Sequence, residues 1–67
     1  MRQNAQVLDW LRRWRSITPA EAYNQLGIYR LGARIFDLRQ RGHLINNTAP
    51  HGKPARYVLI KEAAHAA

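Results

Sequence analysis

The chain has 67 residues, 46% apolar and 22% charged, with a formal charge of +7 from 11 Lys and Arg against 4 Asp and Glu. A single domain of this length buries only about 60% of the surface its unfolded chain exposes, so its core is small. It has no cysteine, which excludes a disulfide framework and a Cys-based zinc site and suits a reducing cytoplasm.

No apolar run approaches the roughly 20 residues of a membrane span, and the opening MRQNAQ lacks the apolar core of a signal peptide. Nine of the basic residues are Arg and two are Lys. Arg has a planar fork that suits phosphate oxygens and guanine edges. A basic balance of this size points to nucleic acid, an anionic membrane surface or an acidic protein.

In chain order, the first predicted element is a helix over 4–14. Val7, Leu11 and Trp14 recur at helical spacing, and Leu8 and Trp10 widen the stripe. Asn4 is the predicted N-cap. The two Trp are read as core rather than as stacking platforms, since large aromatics at helical spacing in a small domain fill its interior. Ser16-Ile17 is too short for a helix and suits a short strand that pairs later.

Thr18-Pro19-Ala20-Glu21 is the clearest local signal. Thr18 caps the next helix, Pro19 takes its first position and Glu21 completes a capping box. Ile17 and Ala22 form a hydrophobic staple. This helix runs to about Leu26, with Ala22, Tyr23 and Leu26 inward, and Gly27 ends it as a left-handed C′ residue. Ile28 anchors the turn.

A second, basic helix is predicted from Tyr29 or Arg30 to Arg41. Leu31, Ile35 and Leu38 make its apolar stripe, and Gly32, Ala33, Phe36, Asp37 and Gln40 lie opposite. Gly42 ends it. The period then changes. His43–Thr48 and Ala55–Ile60 read as the strands of a hairpin, and the turn residues between them carry His51 and Lys53, with Arg56 beyond. Residues 61–67 are Ala-rich and are predicted as a flexible tail.

Helix, short strand, helix, helix, strand, basic loop, strand is the element order of a winged helix-turn-helix domain. The predicted fold is α+β and mainly α, a single domain over 1–67 of three helices plus a C-terminal β-hairpin wing. Leu11, Trp14, Leu26, Ile28, Leu31, Ile35 and Leu38 form its core, closed by Leu44, Tyr57 and Leu59 or their neighbours on the other face.

The stretch ITPAEAYNQLGIYRLGARIFDLRQRGHLI also resembles the small winged helix-turn-helix domains of bacteriophages, prophages and their bacterial hosts. The resemblance lies in Ile17–Ala22, Gly27–Ile35 and Asp37–Ile45, and covers about half the chain. It implies a cytoplasmic protein of a bacterial host cell that binds double-stranded DNA, as a transcriptional regulator or a recombination accessory factor.

In such a motif the start of the second helix meets base edges. The candidate base contacts are Tyr29, Arg30, Gly32, Ala33 and Phe36. Arg30 suits guanine O6 and N7, Gly32 permits a close backbone approach, and Ala33 suits a thymine methyl. Phe36 either extends that contact or covers a neighbouring helix. The candidate phosphate contacts are Thr18, Arg34, Arg39, Arg41, Lys53 and Arg56. For Arg34 the competing reading is an ion pair with Asp37 or Glu21; for the wing it is a solvated loop. Roughly five neutralised phosphates give a slope of log affinity on log salt of about −4.5.

No catalytic constellation is visible. The acids Asp9, Glu21, Asp37 and Glu62 are scattered, and His43, His51 and His65 lack zinc-ligand spacing. The reading is therefore a non-enzyme without metal or cofactor. Its alternative is a winged-helix interaction module for an acidic host or polymerase partner, anchored by Phe36 and Trp10; beside DNA, the protein partner expected is of integrase or polymerase type. With no heptad seam, the chain reads as a monomer in solution, free to pair on DNA.

Overall fold

A computed structural model of the chain describes residues 2–63. Six elements follow in order: α1 (Arg2–Trp14), β1 (Ser16–Ile17), α2 (Pro19–Leu26), α3 (Leu31–Gln40), β2 (Leu44–Asn47) and β3 (Tyr57–Lys61). The strands form one antiparallel sheet of order β1-β3-β2. This is the predicted architecture, three helices closed by a hairpin, with Ile17 paired at the hairpin's edge opposite Tyr57.

Each helix buries one narrow stripe. Val7 and Leu11 of α1, Ala22 of α2 and Leu31, Ile35 and Leu38 of α3 meet Ile17, Ile28, Ile45 and Leu59 in a single core. The capping box forms as predicted: the Thr18 N–H donates to Glu21 Oε1 at 2.9 Å, and the Glu21 N–H donates to Thr18 Oγ1 at 3.2 Å. Gly27 ends α2 at φ 68°, a conformation that costs a residue with Cβ about 1–2 kcal/mol. Its N–H reaches Tyr23 O and that of Ile28 reaches Ala22 O, so the turn enters the core as it leaves the helix.

Several expectations are corrected. Asn4 is not an N-cap but lies inside α1, buried, on the same stripe as Val7 and Leu11. Trp14 is 60% exposed instead of core. The helix stops there because Arg15 takes a left-handed φ of 70°, which swings the chain into β1 and leaves the indole outside. Trp10 packs at the core edge, its indole N–H donating to Ser16 O at 3.0 Å.

Tyr23 points outward and packs on Tyr29 with ring centroids 5.1 Å apart. The helix α3 starts at Leu31, since Arg30 has non-helical φ −113° and ψ 62°. Of the hairpin residues, Ile45 rather than Leu44 fills the core: it stands opposite the buried Leu59, and its strand neighbour Leu44 faces the other side of the sheet. The strands are displaced slightly from the predicted ranges.

Lys61 closes β3, and beyond it two contacts hold the chain. Glu62 pairs with the Arg12 guanidinium, and the Ala63 N–H donates to His43 Nδ1 at 3.0 Å. Residues 64–67 of the expected tail lie outside the described residues.

Candidate nucleic-acid interface

The solvent face of α3 follows from its buried one. With Leu31, Ile35 and Leu38 turned to the core, Ala33, Phe36 and Gln40 are left on the opposite arc. Phe36 is 60% exposed, so it does not cover a neighbouring helix within the chain. Tyr29, just before α3, is 80% exposed. A Cβ built on Gly32 would meet no atom within 4 Å, so nothing inside the protein requires a glycine there. What its small size leaves is an open approach to the helix backbone.

Arg30 is the N-cap residue of α3, yet its side chain makes no cap hydrogen bond. It lies in a shallow cleft of about 450 Å³ lined also by Gln3, Tyr29, Ala33 and Arg34, where the start of α1 meets the start of α3. Here the sequence-predicted base contacts Tyr29, Arg30 and Ala33 come together around the same opening. Phe36 lies one turn further along.

The candidate phosphate contacts divide by how they are held. Arg34 pairs with Asp37 at 3.1 Å and donates to Gln3 Oε1 at 3.5 Å, while its Nε is buried without a partner. Arg39 donates through Nε and Nη2 to the Ile45 carbonyl at 3.0 and 2.8 Å, and its guanidinium stands 5.9 Å from the Tyr57 ring. Arg56 donates to Ser16 Oγ at 3.3 Å. Thr18 spends its hydroxyl on the α2 cap. Among the described residues, the side chains of Arg30, Arg41 and Lys53 have no partner.

Asp37 is the acid that could spoil this surface. It is drawn back toward α1, accepting from Asn4 Nδ2 at 3.2 Å and pairing with Arg34. The one negative charge on α3 is thus neutralised in place, and the field of the helix stays positive. Asn4 escaped prediction as a positioning residue. The signal was present, since a polar side chain in the stripe Asn4, Val7, Leu11 marks a buried hydrogen bond. Asn47 was missed as well: its Oδ1 accepts from the N–H groups of Ala49 and Arg56 and ties the base of the wing.

The wing loop is shaped by Pro50, Gly52 at φ 85° and Pro54, with the Lys53 N–H turned back to Pro50 O at 3.1 Å. His51 and Lys53 stand exposed at its tip. The Arg12–Glu62 hydrogen bond raises the Arg12 pKa, outweighing desolvation. Among the described residues no group of His, Asp or Glu could hold a metal ion, and no helix is long and apolar enough to cross a membrane.

A tight helix pair with a basic second helix, braced by a third helix and flanked by a hairpin with an extended loop, defines a helix-turn-helix module with a wing. A family model described as a winged helix-turn-helix domain matches residues 2–62, and the chain belongs to that family. Comparisons with curated proteins and with solved structures give no significant match.

Proposed function

We propose that this protein binds double-stranded DNA, with α3 in the major groove and the wing on the backbone or in the minor groove. The observation that carries the reading is the outer face of α3. Arg30 and Arg41 are unpartnered among the described residues, and Asp37, the helix's one acid, is ion-paired with Arg34 and hydrogen-bonded by Asn4. Arg30 is the guanine reader, flanked by Tyr29, Gly32, Ala33 and Phe36. Arg34, Arg39, Arg41, Lys53, Arg56 and the Thr18 cap supply the phosphate contacts.

Such a protein works in the cytoplasm of a bacterial host cell, as a small regulator of transcription or as an accessory factor in recombination, of phage or bacterial origin. It needs no cofactor and no metal, performs no catalysis, and is a monomer that pairs, if at all, on its site. The alternative, docking to an acidic host or polymerase partner, is favoured by the exposed Trp14, whose ring packs at a tilt on Trp10 with centroids 5.9 Å apart.

Fluorescence anisotropy with a pool of random duplex DNA at two salt concentrations tests the proposal. Binding that weakens steeply with salt, and falls about tenfold in Arg30→Ala through loss of a bidentate contact, supports it. An absence of duplex binding at low salt overturns it and leaves the protein-docking reading.

A further inference from the structure

The centre of the α3 outer face is apolar where a base-reading surface is commonly polar. Ala33 and Phe36 form it, Tyr29 precedes it, and Gln40 closes it one turn later. Phe36 is the middle of this stripe, and among the described residues no other aromatic ring packs on it. Arg30 and Arg34 line the cleft where α3 meets the start of α1, Arg41 caps the far end of α3, and Arg39 is tied back to β2. The cationic groups therefore border the stripe without crossing it.

Duplex DNA offers one apolar group in the major groove, the C5 methyl of a pyrimidine. Thymine carries it by nature, and 5-methylcytosine presents the same group at the same ring position. A flat ring beside a small methyl side chain, with Gly32 leaving room for the helix to approach, is shaped to enclose such a methyl. We infer that Phe36 and Ala33 read a C5-methylpyrimidine, so that the protein prefers sites with thymine at the positions facing the middle of α3. The arginines set register and affinity; the apolar centre sets the base. This rests on the DNA reading above and names what that surface selects.

The test uses short alternating A·T duplexes and the same duplexes with deoxyuridine in place of thymidine, which removes the methyl and keeps the pairing. The full-length protein and Phe36→Ala are titrated against both at one salt concentration. Because Phe36 lies on the surface, the variant should melt at the same temperature as the parent, and this is checked first. Burial of one methyl corresponds to about a threefold to fivefold change in affinity.

The expected result is that the parent binds the deoxyuridine duplex several-fold more weakly for each methyl contacted, while Phe36→Ala binds both duplexes alike. Alternating G·C duplexes with and without 5-methylcytosine separate the two methyl sources: a gain on methylation shows that the methyl alone suffices, and no gain assigns the preference to thymine. Equal binding of thymidine and deoxyuridine duplexes by the parent overturns the inference while leaving DNA binding intact. A loss of the same size in parent and variant also overturns it, by assigning the effect to duplex shape. Failure to bind any duplex overturns the DNA reading, and this inference with it.

Discussion

Asn4 shows how one buried side chain can serve a surface 33 residues away in sequence. Its amide holds Asp37, Asp37 holds Arg34, and Arg34 lines the cleft beside Arg30. Asn4→Ala leaves the inner side of Asp37 without its donor. It should lower the free energy of unfolding by about 1–3 kcal/mol, the usual cost of removing one partner from a part-buried hydrogen bond, as read by urea denaturation. Asn4→Asp should be worse, since it sets two carboxylates against each other. The Arg12–Glu62 pair behaves differently. Its hydrogen bond raises the Arg12 pKa, so the stabilisation is complete below the ordinary arginine range and is lost only as pH rises through the elevated value. It is therefore constant across neutral pH.

At the scale of elements, α2 is held by chemistry that is entirely local. The Thr18–Glu21 box, Pro19 and Gly27 define both its ends. Thr18→Ala should cost about 1 kcal/mol and Gly27→Ala a similar amount, both measured by thermal melting. For the same reason both ends of α2 were legible in the sequence, although the outward turn of Tyr23 was not, and so were the apolar stripe of α3 and the hairpin. What could not be read depends on pairing at a distance. Leu44 and Ile45 are equivalent by composition, and only the pairing of Ile45 opposite Leu59 decides which is buried. Trp14 fits the α1 stripe by spacing, but the left-handed turn at Arg15 removes it from the core. Within the site, the cluster Tyr29, Arg30 and Ala33 was legible. The internal partners of Arg34 and Arg39 were not, since an arginine's sequence position does not reveal whether its guanidinium is already occupied.

For the whole molecule, that occupancy decides a measurable number. If only Arg41 and Lys53, the unpartnered phosphate candidates among the described residues, neutralise phosphates, two contacts give a salt slope of about −1.8. The value of about −4.5 expected from roughly five contacts requires Arg34, Arg39 and Arg56 all to exchange internal acceptors for phosphate oxygens. A titration of affinity against salt separates the two cases, and Arg41→Ala should reduce the slope by about 0.9 in either. The core sets the other limit. Among the described residues ten buried apolar side chains form the core, so Leu11→Ala, at about 2–5 kcal/mol, should unfold a large fraction of the protein at ambient temperature, seen as lost helical circular dichroism.

The double hydrogen bond from Arg39 to the Ile45 carbonyl, with Tyr57 beneath the guanidinium, joins α3 to both strands that carry the wing. A helix and a loop linked in this way cannot slide independently along a duplex. On the DNA-bound arrangement proposed above, the protein would act as a calliper of fixed span: once one jaw is seated, the other can fall at only one distance along the helix axis. On a preferred site, inserting a single base pair between the two footprints should therefore abolish simultaneous engagement instead of being absorbed by a flexible arm.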